Sequence, residues 1–80
     1  MRTRTEFEQA FKEIFGKRTL HWSAWTVQFK VDRISFSKIE QLRAIPIVKD
    51  VVFMPQAVTV VPQYPTFLVD ITFSKVLLPT

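Results

Sequence analysis

The spacing of apolar residues changes once along the chain, and this change constrains the fold more than any other feature. Between Phe7 and Phe15 the apolar residues recur every three or four positions, which places them on one stripe of an α-helix. From Trp25 to Asp32 apolar and polar residues alternate instead, as in a strand with one buried face. The sequence therefore predicts helices and a sheet within one domain, an α+β fold.

Capping signals set the expected ends of two helices. Thr5 and Glu8 have the spacing of a capping box, and Gly16 suits the left-handed backbone that ends many helices. Ser37 has the same spacing to Glu40, so we expect a second helix of about two turns that ends before the proline at position 46.

Three further strands are expected after this proline, in the segments IVKDVVFM, AVTVV and TFLVDITFSKV. The first is apolar on both faces from Val51 to Met54, which predicts a central strand or, as a second interpretation, one covered by another copy of the chain. Residues 1–80 are thus predicted to form a single two-layer domain. An N-terminal amphipathic helix and a short helix pack on a four-stranded, mainly antiparallel sheet.

The apolar stripe of the first helix and the apolar face of the sheet should pack together. The helix contributes Phe7, Phe11, Ile14 and Phe15, and the sheet contributes Val27, Phe29, Val69 and Ile71. Alternation also separates the two tryptophans. Trp25 has the parity of the buried residues, whereas Trp22 has the parity of Lys30 and is expected on the exposed face, unless a turn at Ser23 and Ala24 resets the alternation.

Catalysis has few residues to use. The chain has no cysteine, one histidine and one glycine, so it lacks a thiol nucleophile, a thiolate metal site and a glycine-rich phosphate loop. His21 is most simply a structural residue, and Asp32, Asp50 and Asp70 lie in separate predicted elements. We therefore expect a non-enzymatic protein with no cofactor, no metal and no small-molecule substrate.

Surplus apolar residues favour a protein-interaction or assembly module, self-associating or docked on a protein partner through its sheet. Once one face of the sheet is filled, several apolar residues of the second half of the chain remain, and a second chain usually covers such surface. The candidate interface residues are Val52, Met54, Leu68, Val76 and Leu77.

The alternative is binding of single-stranded nucleic acid. The net charge is +4, and ten of the eleven Lys and Arg residues lie within residues 1–49, where they serve either solubility or a polyanion. Aromatic rings among cations could stack bases while the cations neutralise phosphates. The candidates are Arg2, Arg4, Lys17, Arg18, His21, Trp22 and Lys30. The simpler interpretation, in which Trp22 packs against the first helix, is preferred.

The segment YPTFLVDITFSKV resembles the closing strand of tube and baseplate proteins of phage contractile tails. It comprises 13 of the 80 residues, so the resemblance implies an assembly role in a phage or other mobile element but assigns no family. No apolar run reaches the roughly 18–20 residues that span a bilayer, and the N-terminus lacks a signal-peptide pattern. We expect a cytoplasmic protein, in the host cytoplasm if viral, with no membrane partner.

Overall fold

Two helices and a four-stranded antiparallel sheet make up the fold, which confirms the predicted α+β class. The structure is a computed structural model that describes residues 2–55 and 66–79. In chain order the elements are α1 (Arg4–Phe15), β1 (His21–Trp22), β2 (Thr26–Val31), α2 (Phe36–Arg43), β3 (Val48–Pro55) and β4 (Phe67–Phe73).

The strands are ordered β1-β2-β4-β3, so the last strand in the sequence lies inside the sheet. Because β4 lies between β2 and β3, β3 is an edge strand of the sheet formed by the described residues, and within this sheet the predicted central position of Val51 to Met54 is wrong. The predicted strand AVTVV lies outside the described residues. The fourth described strand is β1, a two-residue strand paired with β2.

The first helix begins two residues earlier than the sequence analysis predicts. Its N-cap is Thr3, whose hydroxyl accepts a hydrogen bond from the backbone N–H of Glu6 at 3.2 Å, so the prediction of Thr5 is wrong. Both threonines have a glutamate three residues later. The C-terminal segment favours Thr3, because the Arg4 N–H donates to the Leu78 carbonyl (2.8 Å) and the Leu78 N–H to that of Arg2 (2.9 Å).

The other helix ends show one correction and one refinement. The N-cap of α2 is Ser35, which accepts from the Lys38 N–H at 3.5 Å, and the prediction of Ser37 is wrong. Gly16 follows α1 with φ of 76°, which confirms the expected positive φ. Its ψ of −162° lies outside the left-handed helical region, and its N–H still donates to the Lys12 carbonyl at 2.8 Å.

Both helices contribute to one core on the same face of the sheet. Phe11 meets Phe29 edge to face at 4.8 Å between ring centroids, and Phe7 meets Phe73 in the same way at 4.9 Å. Ile14 and Phe15 are partly buried against this core. The packing of the helix stripe on the sheet is therefore as predicted. The remaining buried residues are Val27, Val31, Ile39, Leu42, Ile45, Val51, Val69, Ile71 and Leu77.

Candidate functional site

The two tryptophans have the opposite placement from the one that alternation predicts. A turn follows β1, in which the Ser23 N–H donates to the Thr26 carbonyl at 2.9 Å, and Trp22 then pairs with Val27 across the ladder. Directly paired residues share a face of the sheet, so Trp22 lies on the core side with Val27. Trp25 precedes β2 and is 53% exposed, so the prediction that Trp25 is a core residue is wrong.

The indole of Trp22 is partly buried and makes several contacts within its own domain. It stacks on Phe73, with 5.6 Å between ring centroids, and lies edge to face with Phe7 at 5.8 Å. Its Nε1 donates to the Glu8 carboxylate at 3.0 Å, and the Arg4 guanidinium lies 5.0 Å from the ring centroid. The preferred interpretation, packing against the first helix, is what the structure shows, and these contacts lie on the core side of the sheet.

The structure divides the seven residues of the predicted nucleic-acid patch. Four of them, Lys17, Arg18, His21 and Lys30, line one depression of about 310 Å³. The Arg18 guanidinium reaches across it and donates to the Lys30 carbonyl at 3.3 Å. Trp22 and Arg4 lie together at the core side instead, and the seventh residue, Arg2, lies beside the C-terminal segment. A basic site remains, without its aromatic component.

The face of the sheet opposite the helices, here called the outer face, has no helix among the described residues. Cross-strand pairs place Val52 beside Asp70, and Leu68 between Met54 and Lys30. Val52 is 46% exposed and Met54 is 48% exposed, while Leu68 is partly buried between its neighbours. The rest of the face carries His21, Thr26, Gln28, Asp50 and Thr72.

Three of the five predicted interface residues come together on this face: Val52, Met54 and Leu68. Val76 is 48% exposed but lies in the C-terminal segment, by a depression that it shares with Arg2. Leu77 is 3% exposed, so its assignment to an interface is wrong. The neighbouring Leu78 pairs with Thr3 in a parallel bridge, and Leu77 belongs to the core.

The edge of β3 that faces away from β4 has no partner strand among the described residues, and side chains bond part of it, a feature that the sequence analysis missed. The Val51 N–H donates to the Asp50 carboxylate at 2.9 Å, and the Val51 carbonyl accepts from the Arg43 guanidinium of α2 at 3.3 Å. Pro55 ends the strand without an N–H group. Proximity of Arg43 to β3 depends on how α2 packs, so no local pattern could have predicted it.

Asp70 occupies the middle of the outer face. Its Oδ2 accepts from the Gln28 amide at 3.5 Å, and its Oδ1 is buried with no hydrogen-bond partner among the described residues. On the outer face, the partly buried Asp70 carboxylate therefore lies between the strands that carry His21 and Lys30 and the strand that carries Val52 and Met54.

No protein-family model, curated protein or solved structure matches this chain. Among residues 2–55 and 66–79, no three side chains of His, Asp or Glu are grouped so that they could hold a metal ion. None of the described helices is long and apolar enough to cross a membrane. The two candidate binding surfaces are the outer face, with its exposed apolar residues, and the basic depression.

Proposed function

We propose that this protein is a small non-enzymatic interaction module that pairs with a second copy of itself through the outer face of its sheet. The observation that carries the proposal is the placement of Val52, Met54 and Leu68 on the face that neither helix covers. Apolar side chains clustered on a bare sheet face favour burial against another surface. The resemblance of the last strand to phage tube and baseplate strands supports an assembly role.

The distribution of charge on the outer face favours a second copy as the partner. His21 and Lys30 lie on β1 and β2, whereas Asp50 and Asp70 lie on β3 and β4. A two-fold axis parallel to the strands lays β1 and β2 of one copy over β3 and β4 of the other, which carry both the acids and the apolar cluster. The aliphatic stem of Lys30 then covers apolar side chains while its charge faces the carboxylates. A two-fold interface requires this kind of self-complementarity, and opposite charges that meet across it fix the register.

The β3 edge offers a less suitable surface for pairing. Strand addition needs free N–H and carbonyl groups along an edge, and Asp50 and Arg43 already occupy both groups of Val51. Pro55 removes a further donor. Face-to-face packing needs none of these backbone groups, so it remains available where edge pairing is obstructed.

The size of the face sets the expected strength of the dimer. The four strands comprise 23 residues and lie about 4.8 Å apart, so they cover a projected area of about 400 Å² per copy. This is below the roughly 800 Å² per partner of a standard stable interface, so we expect association in the micromolar range or weaker. The dimer should therefore form only as the protein concentration rises.

Sedimentation equilibrium over a concentration series tests the proposal. The wild type should shift from monomer to dimer, and Val52→Lys should remain monomeric because it places a charge in the apolar cluster. Val76→Lys is the matched control, since Val76 is exposed to nearly the same extent but lies off the outer face. A wild type that stays monomeric at every concentration, or a dimer that only Val76→Lys disrupts, would overturn the proposal.

A further inference from the structure

The positive charge of the protein is concentrated on one surface. Three adjacent depressions share Arg18 in their linings, and together they are lined by six of the eleven Lys and Arg residues but only two of the seven acids. The five basic and five acidic residues left elsewhere balance, so this surface accounts for the whole net charge of +4. We call it the basic surface. Its cations are Lys12, Lys17, Arg18, Lys30, Arg33 and Lys38.

Arg18 is held in position at the centre of the basic surface. Its guanidinium donates to the Lys30 carbonyl at 3.3 Å and lies 5.9 Å from the ring centroid of Phe15. Lys38 lies near the same ring, with Nζ at 5.4 Å from the centroid. The hydroxyl-bearing residues Thr19 and Ser35 line two of the depressions and add potential donors.

The cations of the basic surface are not neutralised within the domain. Among the described residues, no carboxylate lies within ion-pair distance of Lys17, Arg18 or Lys30. Of the two acids that line the surface, Glu8 already accepts a hydrogen bond from Trp22. Unpaired cations side by side repel one another, and an extended anion would relieve that repulsion.

The form of the surface favours a flexible polyanion over a protein or a lipid bilayer. None of the large exposed apolar residues of the described chain lines it, so it lacks the apolar anchors of a protein interface or of a membrane-bound face. The cations come from loops, from β2 and from both helices, so no single helix could carry them into the major groove of a duplex. A strand that bends through successive depressions can meet them all.

We propose that the basic surface binds the phosphate backbone of single-stranded nucleic acid, without stacking of bases on Trp22. The phosphates lie in the depressions around Arg18, where Lys17, Lys30 and Arg33 contact them. Binding is then independent of base sequence and depends steeply on salt, because each phosphate that is neutralised releases counterions. The basic surface meets the outer face at Lys30, which belongs to both, whereas Lys17, Arg18 and Arg33 lie off the outer face.

Fluorescence anisotropy with a labelled oligothymidylate at several salt concentrations tests the inference. About three phosphate contacts should give a slope of about −2 in a plot of log K against log salt. The double variant Lys17→Ala/Arg33→Ala should weaken binding at low salt by about tenfold and reduce the slope by about 1.4, which a merely structural effect would not do. The single variant Arg18→Ala should weaken binding as well.

The matched control is Lys49→Ala/Lys75→Ala, which removes the same charge from positions that do not line the basic surface. It should change the affinity by less than about twofold, because long-range charge alone is screened by salt. Equal weakening by the control, tighter binding of the matching duplex, or equally effective competition by polyglutamate would overturn the proposal. None of the variants in this test substitutes a residue of the outer face, so a failure here would leave self-association unaffected.

Discussion

Trp22 stacks almost parallel on Phe73, with ring planes 16° apart and centroids separated by 5.6 Å. The contact joins the two-residue edge strand β1 to the end of β4, with β2 between them in the sheet. So short a strand makes few backbone hydrogen bonds. The stacked indole and its hydrogen bond to Glu8 therefore help to hold β1 in place.

Substitution of the two tryptophans should separate their roles. We expect Trp22→Ala to lower the free energy of unfolding by about 2–3 kcal/mol, somewhat less than for a fully buried aromatic residue. Trp25→Ala should change it by less than about 0.5 kcal/mol, because Trp25 is largely exposed. Urea denaturation of both variants measures the difference. Equal losses of unfolding free energy in the two variants would contradict the partly buried position of Trp22 and the exposed position of Trp25.

The alternation of β4 could be predicted from its sequence because its two faces meet different surroundings. Phe67, Val69, Ile71 and Phe73 alternate with Leu68, Asp70 and Thr72, and the structure places the first four on the core side. The tryptophans could not be assigned in this way. The turn at Ser23, Ala24 and Trp25 contains no Gly, Pro or Asn, and Ser23 is a weak turn former, so the sequence left open whether the alternation restarts there.

Other features depend on residues far apart in the sequence. The position of the first helix cap depends on Leu78, and the edge position of β3 depends on β4 pairing with β2. Three cations of the predicted nucleic-acid patch come together with His21, but the sequence could not show that Trp22 faces away from them. Local patterns thus predicted the elements and the core, while tertiary pairing decided which residues share a surface.

The N-cap of α1 gives a direct test of this tertiary effect. Thr3→Ala should cost about 1 kcal/mol because it removes the hydroxyl that accepts from the Glu6 N–H. Thr5→Ala is the matched control, and it should cost at most a few tenths of a kcal/mol, since alanine has the higher helix propensity. Thermal unfolding followed by circular dichroism distinguishes them, and a greater loss for Thr5→Ala would restore the cap predicted from sequence.

Gly16 should tolerate no other residue well, although there is space for one. A Cβ at this position would meet no atom within 4 Å, so the cost of substitution comes from the backbone alone. With φ of 76° and ψ of −162°, Gly16 lies in a region that is nearly exclusive to glycine. We expect Gly16→Ala to cost about 1–3 kcal/mol.

Asparagine provides the control for Gly16, because it tolerates the left-handed helical region better than alanine does. If the conformation is as described, Gly16→Asn should lose as much stability as Gly16→Ala in urea denaturation. A clear advantage of asparagine over alanine would indicate an ordinary left-handed cap instead.

The last prediction concerns the free edge of β3, where Asp50 and Arg43 bond the two backbone groups of Val51. Their removal in Arg43→Ala/Asp50→Ala should expose a donor and an acceptor in the middle of an edge strand, which can then pair with the same edge of another molecule. We expect this variant to form larger aggregates on mild heating, measured by light scattering and thioflavin fluorescence.

The control for the edge is Glu40→Ala/Lys49→Ala, which likewise removes one acid and one base. Glu40 pairs with Arg43 on the surface of α2 at 3.1 Å, and this ion pair is too exposed to contribute much stability. The control should remain soluble under the same conditions, because the Val51 groups stay occupied. If both double variants aggregate equally, the loss of charge and not the opening of the edge is responsible, and Asp50 and Arg43 have no protective role at β3.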